Sequence, residues 1–178
     1  MTEKIIFAGF GGQGVILSGK LICVAALREN KYVTHIPSYG AEMRGGTANC
    51  SVVISEDPIG SPLIPNPTIC VVMNKPSLLK FEPKLVPGGL LIYNSSLIEI
   101  KPERKDITAV PVAANDLALE MGNVKAANMI TLGLLIKLKP DLASLDSALE
   151  AVSDVVSSRN QALNELNRLC IKKGFQLN

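Results

Sequence analysis

The feature that most constrains this chain is its opening: an apolar run, Lys4–Ala8, followed at once by Gly9-Phe-Gly-Gly-Gln-Gly14 and then by a proline-free segment reaching Asn30. An apolar run that stops at clustered glycines and resumes with helical character reads as strand, tight loop, helix. The apolar positions of the third part (Val15, Ile16, Leu17, Leu21, Ile22, Val24, Ala25, Leu27) wrap most of the way round. The spacing therefore predicts a helix from about Gly12 to Asn30 that is covered on more than one side. Tyr32–Ile36 is β-branched and fits a second strand, which completes a β–loop–α–β start.

The rest of the chain continues the alternation. Strands are expected at Ala48–Ile54, Ile69–Met73, Leu90–Tyr93 and Ile107–Val112, with Pro58, Pro62, Pro65 and Pro67 marking a stiff surface loop. Helices are expected at Pro76–Phe81, from about Asn115 to Gly122, and over Ala126–Leu138. Two more follow, one capped by Ser144 and a last one near Ser158–Lys173. The last helix has Ala162, Leu163, Leu166, Leu169 and Cys170 at helical spacing, with Lys172, Lys173 and Gly174 as its stop. The pattern predicts an α/β protein: a single three-layer α/β/α domain over residues 1–178, with a mainly parallel sheet and C-terminal helices. The length of 178 residues suits one core.

Several functions are disfavoured by composition. Net charge is +2 with no basic block, so nucleic-acid binding has no electrostatic support. No apolar run nears the roughly 20 residues that span a bilayer. The first strand leaves no room for a signal peptide, so a cytoplasmic location is expected. Cys23, Cys50, Cys70 and Cys170 are far apart, without the Cys-x-x-Cys spacing of zinc or iron–sulfur sites, and are expected as buried thiols. Apolar residues make up 47% of the chain and the mean hydropathy is +0.28, which hints at a buried partner interface.

Gly9, Gly11 and Gly14 match the dinucleotide fingerprint, in which glycines let backbone and a helix N-terminus approach a phosphate. That fingerprint needs an acidic residue at the end of the second strand, and here the strand ends Thr34-His-Ile-Pro37. The segment Gly14–Leu21 nearly fits the phosphate-binding loop of nucleoside triphosphatases, but Leu21 stands where the magnesium-holding hydroxyl belongs. Two readings stay open for Gly9, Gly11, Gly12, Gln13 and Gly14: an anion pocket of another kind, or a tight connection packed against a partner. The stretch Pro37–Asn49 follows the second strand and emerges on the same sheet edge. There Arg44 beside Gly45 and Gly46 suits a carboxylate or phosphate, unless Glu42 pairs with it. Asn94 points to that edge as well, and Asn128 is a polar residue in an apolar helix; either also fits a structural amide. The lone histidine, His35, reads better as a core histidine bonded to backbone than as a catalytic one. No residue is assigned a catalytic role.

Five segments together resemble a known family. They are GFGGQG at Gly9–Gly14, SYGAEMRGGTANCSVVIS at Ser38–Ser55, Asn74-Lys-Pro-Ser77, PGGLLIYNSSLI at Pro87–Ile98 and AANMITLG at Ala126–Gly133. In this order and spacing they resemble the gamma subunit of 2-oxoacid:ferredoxin oxidoreductases. The wording is closest to the 2-oxoglutarate type, with pyruvate, branched-chain and indolepyruvate types nearby. The resemblance implies a cofactor-free subunit of a cytoplasmic complex. That complex would use thiamine diphosphate, iron–sulfur clusters and coenzyme A (CoA) to turn a 2-oxoacid into an acyl-CoA and reduce ferredoxin. Alpha and beta subunits, with delta as an option, would be the partners, and ferredoxin an indirect one. The isolated chain could pair with itself. Residues Gly9, Gly11, Gly12, Gln13, Gly14, Arg44, Gly45, Gly46 and Asn94 are the candidate contacts to CoA or to a partner. Two alternatives remain: a free-standing nucleotide-binding oxidoreductase domain and a purely structural assembly subunit.

Overall fold

The structure is a computed structural model that describes residues 1–40, 47–156 and 161–177. Among the described residues six strands form one sheet in the order β2-β3-β1-β4-β5-β6. They are β1 (Thr2–Phe10), β2 (Tyr32–Tyr39), β3 (Thr47–Ser55), β4 (Ile69–Val72), β5 (Leu90–Asn94) and β6 (Thr108–Val112). The helices are α1 (Val15–Arg28), α2 (Lys75–Phe81), α3 (Ala114–Glu120), α4 (Ala127–Leu138), α5 (Leu145–Val155) and α6 (Gln161–Phe175).

Strands β1, β4, β5 and β6 pair in parallel, and β3 alone runs the other way, between β1 and β2. The β–loop–α–β opening is therefore present, but β2 is not the neighbour of β1. It reaches the sheet as one arm of a hairpin with β3, with Tyr39 opposite Ala48 and Tyr32 opposite Ser55. Because β3 is antiparallel to both neighbours, β1 and β2 still end on the same edge. Every residue of β4 and β5 is buried, as expected of central strands covered on both faces.

Alternation along β1 divides the core. Ile5 and Phe7 face α1, α3, α4, α5 and α6, while Ile6 and Ala8 face α2 with Leu78, Phe81 and Leu85. One helical layer is deep and the other thin. Helix α1 packs against β1, β2, β3, α4 and α5, which explains its apolar circumference. It starts at Val15 and not at Gly12, because Gly14 has φ +72°, a left-handed conformation that cannot sit inside a right-handed helix. Asn74 and Ser144 cap α2 and α5 by accepting the N–H of Ser77 and Ser147.

The last helix departs from its expected pattern in two ways. It runs through Gly174 to Phe175, so Lys172-Lys173-Gly174 is not a stop. Its buried seam is Asn164, Asn167, Cys170, Ile171 and Gly174, while Leu169 is exposed. Gly174 belongs to this seam because there α6 lies nearly backbone to backbone against α4, where a side chain would not fit.

Candidate functional site

The glycine loop leaves β1 at the carboxyl edge of the sheet, and one side chain holds it there. Gln13 Oε1 accepts the Phe10 N–H at 2.7 Å and an Asn74 Nδ2 hydrogen at 3.3 Å. Gln13 Nε2 donates to the Met73 carbonyl at 3.3 Å. Asn74 uses its other amide atom, Oδ1, to cap α2. The loop after β1 and the helix after β4 thus share one amide relay. Gln13, expected as a ligand or partner contact, is half-buried and spends its amide on this brace.

On the other side the loop rests on α4. Asn128 Nδ2 donates to the Gly14 carbonyl and to Ser18 Oγ, each at 3.1 Å, and is buried. A Cβ at Gly14 would lie 2.5 Å from that nitrogen. Gly14 is therefore required twice, by its positive φ and by the approach of Asn128. The polar residue in an apolar helix is a satisfied amide whose partner is the glycine loop itself. Gly11 and Gly12 are exposed at the turn.

Asn94 ends β5 at the same edge, fully buried. Its Oδ1 accepts the Ala114 N–H at 3.2 Å and its Nδ2 donates to Asn115 Oδ1 at 2.8 Å. It orients the start of α3 instead of presenting its own amide to solvent. Glu42, Arg44, Gly45 and Gly46 lie outside the described residues. His35 packs on α1, where its ring meets the Ile16 backbone as a core histidine would, although its buried Nε2 makes no hydrogen bond of good geometry among the described residues.

These elements enclose a cleft of about 170 Å³ between Gly12 and Gln13, Met73, Asn115, and the Val124, Lys125 and Ala127 stretch that opens α4. Asn115, Val124 and Lys125 were not singled out from the sequence. Asn115 stands three residues beyond the end of β6, the position that a parallel strand's carboxyl edge would have indicated. Among the described residues no side chain caps α1 or α4, whose first-turn N–H groups are left to backbone, solvent or a ligand. The cleft is smaller than the roughly 300–1,000 Å³ of a pocket that engulfs a drug-sized molecule. It can hold one arm of a ligand or one side chain of a partner.

Iron–sulfur or metal chemistry does not fit this chain's donors. Burial pushes the Cys23, Cys50 and Cys70 thiols up to about 12, and Cys170 upward too, where a ligand must be a thiolate. Among the described residues no group of three His, Cys, Asp or Glu side chains is placed to hold an ion. No helix among them is long and apolar enough to cross a membrane.

Known proteins share this architecture. The 2-oxoglutarate synthase subunit KorC of Methanocaldococcus jannaschii is 32% identical over 180 residues, which cover 99% of this chain and 94% of KorC. The ketoisovalerate oxidoreductase subunit VorA of Methanothermobacter thermautotrophicus is 33% identical over 173 residues, 97% of this chain but 36% of VorA. The chain thus spans about a third of the length of VorA. Among solved structures, the keto/oxoacid ferredoxin oxidoreductase gamma subunit of Geobacter sulfurreducens superposes with a TM-score of 0.83 at 28% identity, over 97% of this chain and 96% of that one. A chain of the Magnetococcus marinus 2-oxoglutarate:ferredoxin oxidoreductase, solved with 2-oxoglutarate, coenzyme A and succinyl-CoA, superposes at 0.88 with 25% identity, over 98% of this chain and 30% of that one. The family model for pyruvate ferredoxin/flavodoxin oxidoreductase matches residues 4–177. The chain belongs to the pyruvate ferredoxin/flavodoxin oxidoreductase family.

Proposed function

We propose that the chain is the gamma subunit of a cytoplasmic, ferredoxin-reducing 2-oxoacid oxidoreductase, a single domain over residues 1–178 with no catalytic residue of its own. Two-way coverage carries this reading: the chain matches nearly the whole of KorC and nearly the whole of the Geobacter gamma subunit. The substrate is 2-oxoglutarate in this proposal, in line with the KorC relatives. Alpha and beta subunits, and delta where present, hold the thiamine diphosphate and the clusters; among the described residues of this chain no three His, Cys, Asp or Glu side chains are placed to hold a metal ion.

The role left to this chain is to complete a surface at the carboxyl edge. A small cleft between two uncapped helices supports that role, as do the side chains around it. Phe10, Tyr39, Leu97 and Val124 are exposed large apolar groups that end or follow elements on this edge. The glycine loop would meet a partner or CoA here, with Asn94 acting through Asn115. Arg44, Gly45 and Gly46 are proposed on the sequence alone.

The test is a mild pull-down of the tagged chain from its native host, with native mass spectrometry and CoA-dependent oxidation of 2-oxoglutarate, pyruvate, 2-ketoisovalerate and indolepyruvate. Recovery with larger partner chains and activity on one substrate supports the proposal and names that substrate. Recovery of the folded chain alone, or only as a homodimer, overturns it. In the assembled complex, Arg44→Ala should weaken assembly or raise the apparent KM for CoA. If neither changes, Arg44 is not a contact.

A further inference from the structure

Strand β2 is one of the two edge strands of the sheet. It pairs with β3 alone and none of its residues is fully buried. Two consecutive residues, Thr34 and His35, each carry a buried polar atom without a hydrogen-bond partner among the described residues, Oγ1 and Nε2. Neighbours on a strand project to opposite faces, so one such atom lies on each side of the sheet.

His35 is directed at α1. A Cβ at Gly19 would lie 3.2 Å from both Cδ2 and Nε2 of His35 and would overlap the Cys50 sulfur. The bare backbone of Gly19 is what admits the ring. The groups around it are Lys20 and the Ile16 backbone from α1 and the Cys50 thiol from β3. The thiol donates to the Val15 carbonyl. Lys20 is the charged group whose field reaches the ring, and it opposes a second positive charge.

We infer that the His35–Gly19 contact is a proton-sensitive latch: the neutral ring seats the edge strand β2 on α1, and protonation releases it. What moves is specific. Strand β2 carries Tyr39 to the carboxyl edge, while β3 stays paired with β1 and β4 and β5 stay buried on both faces. Acid would thus loosen the surface beside the glycine loop and leave the central sheet intact. This inference goes beyond the proposed function and stands whichever partner the edge meets.

The direction follows from linkage. Burial lowers the His35 pKa, the Ile16 backbone opposes that, and Lys20 lowers it further. A group depressed in the seated state stabilises that state fully above the pKa of a free imidazole. The stabilisation is lost as pH falls toward the depressed value, by up to about tenfold in the opening constant per pH unit.

His35 is the only histidine, so its ring resonances are unambiguous in the full chain. The experiment is an NMR titration of the ring alongside amide exchange in β2 and β5. The latch predicts a pKa below that of free imidazole. It also predicts β2 protection factors falling up to tenfold per pH unit through that window, unchanged protection at Leu91 and Ile92, and no slope in His35→Gln. A free-imidazole pKa, pH-independent β2 protection, or a slope that survives in His35→Gln overturns it. If that variant does not fold, the titration and exchange of the unsubstituted chain decide the matter alone.

Discussion

Gly133 of α4 and Gly174 of α6 are reciprocal contacts. A Cβ at Gly133 would overlap the Ile171 carbonyl oxygen and lie 2.8 Å from the Phe175 nitrogen. A Cβ at Gly174 would overlap the Ile130 carbonyl oxygen and lie 2.8 Å from the Ile130 carbonyl carbon. Each helix uses its glycine to receive the backbone of the other, and backbone cannot yield as a flexible side chain can. Overpacking a tight interior costs about 1–3 kcal/mol, and a clash with backbone belongs at the upper end. Gly133→Ala is expected to lose about 3 kcal/mol, or roughly 6–12 °C in Tm for a chain of this size. Gly60→Ala is the control, since no atom lies within 4 Å of its added carbon; its Tm should stay within about 2 °C. Equal melting of the two variants would mean that the α4–α6 contact is not tight.

The same pair shows where local reading of the sequence ends. Lys172-Lys173-Gly174 has every local mark of a helix terminus, yet the helix runs on to Phe175 and the glycine serves to admit the α4 backbone. The expected face of α6 holds only in part: Cys170 is buried and Leu166 packs against the core, but Leu169 is exposed and Asn164 and Asn167 are buried. The alternation of strands and helices was legible, since each element's periodicity is local. The antiparallel insertion of β3 between β1 and β2 was not, because pairing partners are chosen across the fold. At the site, the glycine loop and its edge could be read, and Asn128 could be flagged as needing a partner. That its partner is the Gly14 carbonyl, 114 residues away, and that Asn115 and Lys125 line the cleft depends on contacts between segments far apart in sequence.

Asn128 offers a test of that brace. Its Nδ2 donates to two acceptors, Gly14 O and Ser18 Oγ. Asn128→Ala removes both bonds, but the Gly14 carbonyl keeps the Ser18 N–H and the Ser18 hydroxyl keeps the Asn128 carbonyl, so the loss is about 1 kcal/mol. Asn128→Asp should be worse at neutral pH, because an ionised carboxylate has no donor and would turn an oxygen toward the Gly14 carbonyl. Thermal melts should rank the three proteins Asn, Ala, Asp. An aspartate variant as stable as the parent would contradict the donor role.

The four cysteines should be inert in the folded chain. With burial holding three thiols at about 12, the thiolate fraction at pH 7.5 is on the order of 10⁻⁴ to 10⁻⁵ at those sites. A thiol reagent such as DTNB should find almost no reactive sulfur in native buffer and all four in denaturant. Rapid native labelling of Cys23, Cys50 or Cys70 would show that their cover opens readily.

Acid should act at the join between α1 and α5. Burial of the Glu29 carboxyl by itself raises its pKa, but the Ser144 N–H, the Ser147 and Ser144 hydroxyls and Lys31 outweigh that and hold it at about 2, against an ordinary 4.5. Glu29 Oε1 accepts the Ser144 N–H at 2.6 Å, which places a carboxylate at the N-terminus of α5, where the helix dipole favours it. Lys31 clamps the same corner, donating to Glu29 and to the Asp141 and Leu142 carbonyls. A depressed carboxylate stabilises the fold fully above its unfolded pKa, so this contribution is intact at pH 6. It declines as pH falls from about 4.5 toward about 2. Glu29→Gln keeps an oxygen for the Ser144 N–H but loses the charge. It should lower stability at pH 6 by about 1 kcal/mol and flatten the acid limb of a plot of Tm against pH. If the acid limb keeps its slope in the variant, other carboxylates carry it and Glu29 is only a hydrogen-bonding cap.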